Sequence, residues 1–227
     1  MNSMNNKKVI LGIGTGRCGT VSLSDLLNKQ ERASFSHELK IKIKRAEDYN
    51  APLPWEYDEN SFNSAWNSIL HYDGQYIGDV SMFWLPYLEK LFVMSEDLKV
   101  ICLQREKEEV VNSYLKKTEG RNHWIKHDGK QWDSCPWDDS YPNFEVKNKE
   151  EALYLYWDYY YQLVNDLMQK YPGRIQIFQM TDLNNEEKVE GLLTFAGFKN
   201  KKVISNIQKN KIERNIFDKI KRKIFGA

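Results

Sequence analysis

Four glycines set between a short apolar run and an amphipathic helix constrain this 227-residue chain more than any other feature in it. Residues 8–27 read KVILGIGTGRCGTVSLSDLL. Val9, Ile10 and Leu11 have the β-branched, apolar character of a buried parallel strand; Gly12, Gly14, Gly16 and Gly19 then punctuate the chain, and Leu23, Leu26 and Leu27 form a helical stripe. A strand, a loop without Cβ crowding and a new helix N-terminus aim unsatisfied backbone N–H groups and the positive end of the helix dipole at one point. An anion suits that point. Arg17 adds a fixed positive charge within the loop, and Thr20 and Ser22 add hydroxyl donors, so the expected guest is a phosphate or a sulfate. The plainer alternative is a strand-to-helix turn whose glycines only relieve backbone strain.

Known anion-loop patterns narrow the choice. Gly14 and Gly19 have the spacing of a Walker loop, but Thr20 stands where its lysine belongs, which disfavours an ATP or GTP hydrolase. Gly14, Gly16 and Gly19 also read as G-x-G-x-x-G, with Glu38 near the distance of a ribose-binding acid, so a dinucleotide-binding oxidoreductase of the NAD type is a rival reading. Arginine inside the turn is awkward for that pattern, whose purpose is to bring bare backbone against a pyrophosphate.

A second stretch points elsewhere. Residues 98–105, LKVICLQR, are a buried-type strand ending in a charge, and residues 106–117 follow as a helix with Val110, Val111, Tyr114 and Leu115 on its apolar side. Ser113 lies two helical turns beyond Arg105. A guanidinium fork and a hydroxyl so spaced grip one phosphate if the turn folds the helix back over the strand end. The alternative is a helix-capping arginine and an ordinary surface serine.

The segment Gly16-Arg17-Cys18-Gly19-Thr20-Val21-Ser22 closely resembles the 5′-phosphosulfate loop of sulfotransferases, and the Arg105–Ser113 pair resembles that family's clamp on the donor's 3′-phosphate. The resemblance implies that Arg17 grips the sulfuryl group and bridging oxygen of 3′-phosphoadenylyl sulfate (PAPS). It assigns the 5′-phosphate to Gly19, Thr20, Val21 and Ser22, counts Gly16 and Cys18 among the loop residues that bind the donor, and assigns the 3′-phosphate to Arg105 and Ser113. Val21 replaces a common second threonine, whose hydroxyl Ser22 is placed to supply. In tyrosylprotein sulfotransferases the catalytic base is a glutamate twenty-one positions after the basic loop residue, and Glu38 stands at that offset from Arg17. His37 is adjacent but should face the other way on an extended chain. Asp79 ends a later strand where cytosolic relatives carry a catalytic histidine; it ranks behind Glu38, with capping or structure as its other role. The resemblance also implies a single three-layer α/β domain with a mostly parallel sheet, its core over about residues 8–198. The expected reaction is in-line transfer of a sulfuryl group from PAPS to an acceptor hydroxyl, leaving adenosine 3′,5′-bisphosphate (PAP), with no metal. A non-catalytic nucleotide-binding relative is the remaining alternative.

Composition excludes several partners. A net charge of +1 offers no global field for nucleic acid. Three cysteines, Cys18, Cys102 and Cys135, have no metal-like spacing and read as reduced thiols. The polar residues 1–8 lead straight into the first strand without a signal peptide, and no long apolar stretch follows, so a cytoplasmic protein is expected.

The remaining chain reads as support and elaboration. Residues 33–37 form a strand, residues 40–60 a long loop suited to covering an acceptor cleft, residues 66–71 a helix and residues 76–80 a strand. A helix with Phe83, Leu88, Leu91 and Phe92 as its stripe carries Pro86 in its first turns. Residues 121–149 are irregular; Trp124, Trp132 and Trp137 either stack on an acceptor or pin the loop, and His123 with His127 lacks the further ligands of a zinc site. Leu155, Tyr156, Tyr159, Tyr160, Leu163 and Leu167 give residues 150–171 a wide apolar helical face. A strand over residues 174–180 follows, then a turn in which Asp182 either caps the next helix or orders the turn. The basic amphipathic segment 209–225 either docks on the domain or lies on an anionic membrane, docking being favoured, and Lys209 or Lys211 is placed to complete the 3′-phosphate site. The acceptor, a small molecule or a glycan, is not specified by any motif.

Overall fold

The computed structural model describes residues 7–39, 53–117, 141–146 and 148–205. Five strands, β1 (Lys8–Ile13), β2 (Ala33–His37), β3 (Tyr76–Val80), β4 (Lys99–Gln104) and β5 (Ile175–Gln179), form one sheet in the order β2-β3-β1-β4-β5. Every pairing is parallel. Parallel strands need crossovers, and among the described residues six α-helices supply or extend them: α1 (Thr20–Asn28), α2 (Glu59–Leu70), α3 (Leu88–Met94), α4 (Lys107–Lys117), α5 (Lys149–Lys170) and α6 (Glu186–Phe195).

The strands are apolar on both faces because helices cover both. Along β1, Val9, Leu11 and Ile13 point into the core shared with α2, α3, α4 and α5, while Ile10 points into a second core with Leu23, Leu26 and Leu27 of α1 and Leu192 and Leu193 of α6. In β4, Val100 and Cys102 alternate with Ile101 and Leu103 in the same way. The result is the three-layer α/β arrangement expected, with a sheet that is parallel throughout.

β1 lies between β3 and β4, so the chain leaves it toward one side of the sheet for β2 and β3 and returns on the other side for β4 and β5. The carboxyl ends of open parallel strands at such a reversal form a crevice. In dinucleotide-binding domains of the 3-2-1-4-5-6 order, β1 and β2 are neighbours. Here β3 separates them, which is evidence against the oxidoreductase reading.

Several local details differ from expectation. α2 begins at Glu59, well before Trp66, because Asp58 caps it by accepting from the Ser61 N–H at 2.7 Å and its polar first turn hides the helical period. The segment with Pro86 opens as a 3₁₀ turn over Met82–Tyr87 and becomes α3 only at Leu88. On α5 the buried face is rotated: Leu153, Tyr161 and Val164 are buried, whereas Leu155 and Tyr159 stand exposed. Asp182 orders its turn by accepting from the Gln179 N–H at 2.8 Å, and Asn185 caps α6. Trp124, Trp132, Trp137, His123, His127, Cys135, Lys209 and Lys211, with the basic segment 209–225 and residues 40–52, lie outside the described residues.

Candidate functional site

The glycine turn joins β1 to α1 and sits at the sheet reversal. Gly16 (φ 80°) and Gly19 (φ 96°) adopt left-handed conformations that an L side chain resists, and a Cβ at Gly16 would collide with the Tyr114 hydroxyl. Gly19 is the N-cap of α1 and offers no side-chain acceptor. By contrast α2, α5 and α6 are capped by Asp58, Asn148 and Asn185. The amides of the first α1 turn therefore have no side-chain cap and are available to an outside anion.

Five carbonyls of the loop accept from protein donors. Gly14 O accepts from the Gly16 N–H at 2.7 Å, Gly16 O from the Thr15 hydroxyl at 3.1 Å, and Gly19 O from the Leu23 N–H at 3.0 Å. Thr15 O accepts from the hydroxyls of Tyr114 at 2.7 Å and Tyr156 at 3.2 Å. Arg17 O accepts from Arg105 Nη1 at 3.0 Å.

This last bond ties the two sequence stretches together. Arg105, just beyond β4, reaches the glycine turn across the sheet, and its Nε donates to Glu109 at 2.7 Å. Arg17 is itself left-handed (φ 55°), and its Nε donates to Ser113 Oγ on α4 at 3.1 Å. Arg17, Arg105 and Ser113 thus form one hydrogen-bonded cluster at the turn that leads into α1. Thr20 and Ser22 lie in the first turn of α1. Cys18 is fully buried, and burial pushes its thiol up to about 11, so it stays protonated at neutral pH. Val21 is half-buried on the same turn.

The end of β2 enters from the other side. Glu38 (φ 54°) and Leu39 (φ 31°) make a left-handed turn, and this breaks the alternation of an extended chain. His37 consequently does not face away from the loop. Its Nε2 lies 3.0 Å from Thr20 Oγ1, and its Nδ1 lies 4.0 Å from Glu38 Oε2. Loss of water raises the pKa of the Glu38 carboxyl, while the positive charge of Arg17 opposes the shift. The Glu38 side chain as a whole is 41% exposed. The turn places a carboxyl of raised pKa within electrostatic reach of the loop arginine.

Asp79 is near in sequence register but closed off. It is fully buried at the end of β3, where Oδ1 accepts from the Ser36 hydroxyl at 2.6 Å and the Leu39 N–H at 3.0 Å, and Oδ2 accepts from Trp84 Nε1 at 2.8 Å. Burial raises its pKa against these hydrogen bonds. Both oxygens are committed to holding the Glu38–Leu39 turn and the segment after β3.

Sequence periodicity did not find the polar tips of the α5 aromatics. Tyr160 accepts from the Gly14 N–H and donates to Met82 O, both at 3.1 Å, Tyr161 donates to Leu103 O at 2.8 Å, and Trp157 donates to Arg105 O at 3.0 Å. The run YWDYYY carries these groups at i, i+1, i+4 and i+5, a helical spacing that was the available signal.

No family model and no curated protein matches the chain. Its fold is sulfotransferase-like. A solved sulfotransferase from Alicyclobacillus acidocaldarius superposes with a TM-score of 0.55 at 13% identity, over 94% of this chain and 90% of that one. Among the described residues no group of three or more His, Cys, Asp or Glu is placed to hold a metal, and no helix is long and apolar enough to cross a membrane.

Proposed function

We propose that the protein is a sulfotransferase that moves a sulfuryl group from PAPS to an acceptor hydroxyl. The observation that carries this reading is the hydrogen-bonded cluster of Arg17, Arg105 and Ser113 at the turn leading into α1, whose N-cap Gly19 has no side chain, in a fold shared with a sulfotransferase. A doubly charged nucleotide needs two cationic groups, and Arg17 and Arg105 of this cluster supply them. The loop amides with Thr20 and Ser22 take the 5′-phosphosulfate, and Arg105 with Ser113 takes the 3′-phosphate.

The chemistry asked of the protein is alignment and charge stabilisation. The acceptor oxygen attacks sulfur as the bond from sulfur to the bridging oxygen breaks. Arg17 stabilises the charge that develops on that departing oxygen. Glu38 takes the acceptor proton, its raised pKa bringing it closer to the working pH of a general base. His37 steadies the Thr20 hydroxyl, and Asp79 holds the turn that presents Glu38. PAP is released.

Incubation with sulfur-labelled PAPS and a cell extract tests this. Label transferred to a recoverable acceptor in a PAP-inhibited reaction is expected. Protection from heating by NAD with none by PAP would select the oxidoreductase, and protection by PAP without transfer to any acceptor would select a non-catalytic binder.

A further inference from the structure

The buried tyrosines behind the glycine turn have a role that core packing alone does not explain. Tyr114, Tyr156, Tyr160 and Tyr161 are all buried, and burial pushes each phenol well above its ordinary pKa, so all four keep the proton they need to donate. Phenylalanine would pack equally well there. Each phenol instead reaches a main-chain group, Thr15 O for Tyr114 and Tyr156, the Gly14 N–H and Met82 O for Tyr160, and Leu103 O for Tyr161, and the Tyr114 and Tyr156 hydroxyls also lie 3.4 and 4.0 Å from Met82 Sδ.

We propose that the α4 and α5 phenols are positioning residues that hold the carbonyl side of the glycine turn away from the bound anion, with the paired hydroxyls of Tyr114 and Tyr156 on Thr15 O as their central contact. This rests on the reading that the turn binds the 5′ end of the nucleotide. An amide cradle loses its anion if one carbonyl rotates into it, and a glycine-rich turn resists such rotation weakly. Thr15 is completely buried, so water does not substitute for a lost phenol. Two donors converge on its oxygen, at 2.7 and 3.2 Å, where one would satisfy the hydrogen-bonding requirement. Tyr160 fixes the entry to the turn by bonding the Gly14 N–H and ties it to Met82 O beyond β3. The turn is thereby referenced to α4, α5 and β3 rather than to its own backbone.

This arrangement predicts a distinctive non-additivity. Tyr114→Phe and Tyr156→Phe each leave Thr15 O with one donor and should change PAP affinity less than about threefold. The double variant leaves a buried carbonyl unpaired and should weaken PAP roughly tenfold or more. Calorimetric titration with PAP supplies one readout. Hydrogen exchange of the free protein supplies another: amides of residues 14–20 should exchange faster in the double variant, while those of β5 and α6 keep their wild-type protection. Tyr160→Phe, which strands the Gly14 N–H and Met82 O together, should reproduce the local exchange change by itself.

Wild-type PAP affinity and wild-type exchange in the double variant would overturn the proposal. So would equal, additive losses from the two single variants accompanied by faster exchange throughout the sheet, since those describe ordinary packing. If wild-type protein fails to bind PAP while the local exchange pattern appears as predicted, the positioning role stands and the nucleotide reading falls.

Discussion

Two strands of this sheet end in left-handed turns, and they achieve the same backbone reversal by opposite means. After β1 the left-handed positions include Gly16 and Gly19, and the surrounding carbonyls are tied by neighbouring donors. After β2 the turn is made by Glu38 and Leu39, residues for which such φ values cost roughly 1–3 kcal/mol each. On the proposed reading the glycine turn removes side chains so that backbone can meet a ligand. The second turn accepts strain so that a side chain is presented, and Asp79 and Val80 hold it by accepting from the Leu39 and Glu38 N–H groups at 3.0 and 3.1 Å. The proposed function puts binding on one turn and proton transfer on the other, which makes them separable by substitution.

Glu38→Gln should break the comparison most severely. In the proposed mechanism kcat falls about a hundred- to ten-thousandfold, while calorimetry finds PAP affinity unchanged. The same variant carries a stability signature. Glu38 has a native pKa above its unfolded value of 4.5, so its favourable contribution is present below that value and is lost as pH rises through the native pKa. Glu38→Gln should therefore raise Tm at neutral pH, and the gain should disappear in acid. A thermal melt series across pH checks the sign.

Arg17→Ala comes next, with an expected loss of about a hundred- to a thousandfold in kcat. It also tests the link between the turns. Arg17 lowers the Glu38 pKa against its burial, so removing it should move the acid limb of the kcat/KM profile to higher pH. An unmoved limb would mean that the two turns act independently.

Gly16→Ala should damage the glycine turn structurally. Its Cβ meets the Tyr114 hydroxyl from a left-handed backbone, and denaturant unfolding should register a loss of about 1–3 kcal/mol. The smallest effect concerns Cys18, whose buried thiol rises to about 11. Iodoacetamide at pH 8 should leave Cys18 unlabelled in native protein and label it in urea, as read by peptide mass mapping.

Much of the glycine turn was legible because its signals are local. A β-branched run, glycine punctuation and a leucine stripe within residues 8–27 mark β1, the turn and α1, and the strand-then-helix pattern of residues 98–117 places Arg105 and Ser113 where each bonds Arg17. β2 and β3 likewise lie where their apolar and turn residues place them. The Glu38 turn was not legible, since nothing in the residues 36–39, SHEL, announces positive φ; the conformation is imposed from outside by the buried Asp79. The rotated face of α5 was missed for a related reason. A run of adjacent aromatics is apolar on every side, and which ones are buried depends on what the turn opposite requires. The early start of α2 was hidden by its polar first turn, where a cap outweighs periodicity.

The most direct measurement compares the affinities of adenosine 3′,5′-bisphosphate and adenosine 5′-monophosphate for wild-type protein and for Arg105→Ala. The predicted result is a preference for the bisphosphate of roughly tenfold or more in the wild type, collapsing in the variant. Equal affinities in the wild type, or a preference that survives loss of Arg105, would contradict the claim that the two stretches grip opposite ends of one nucleotide.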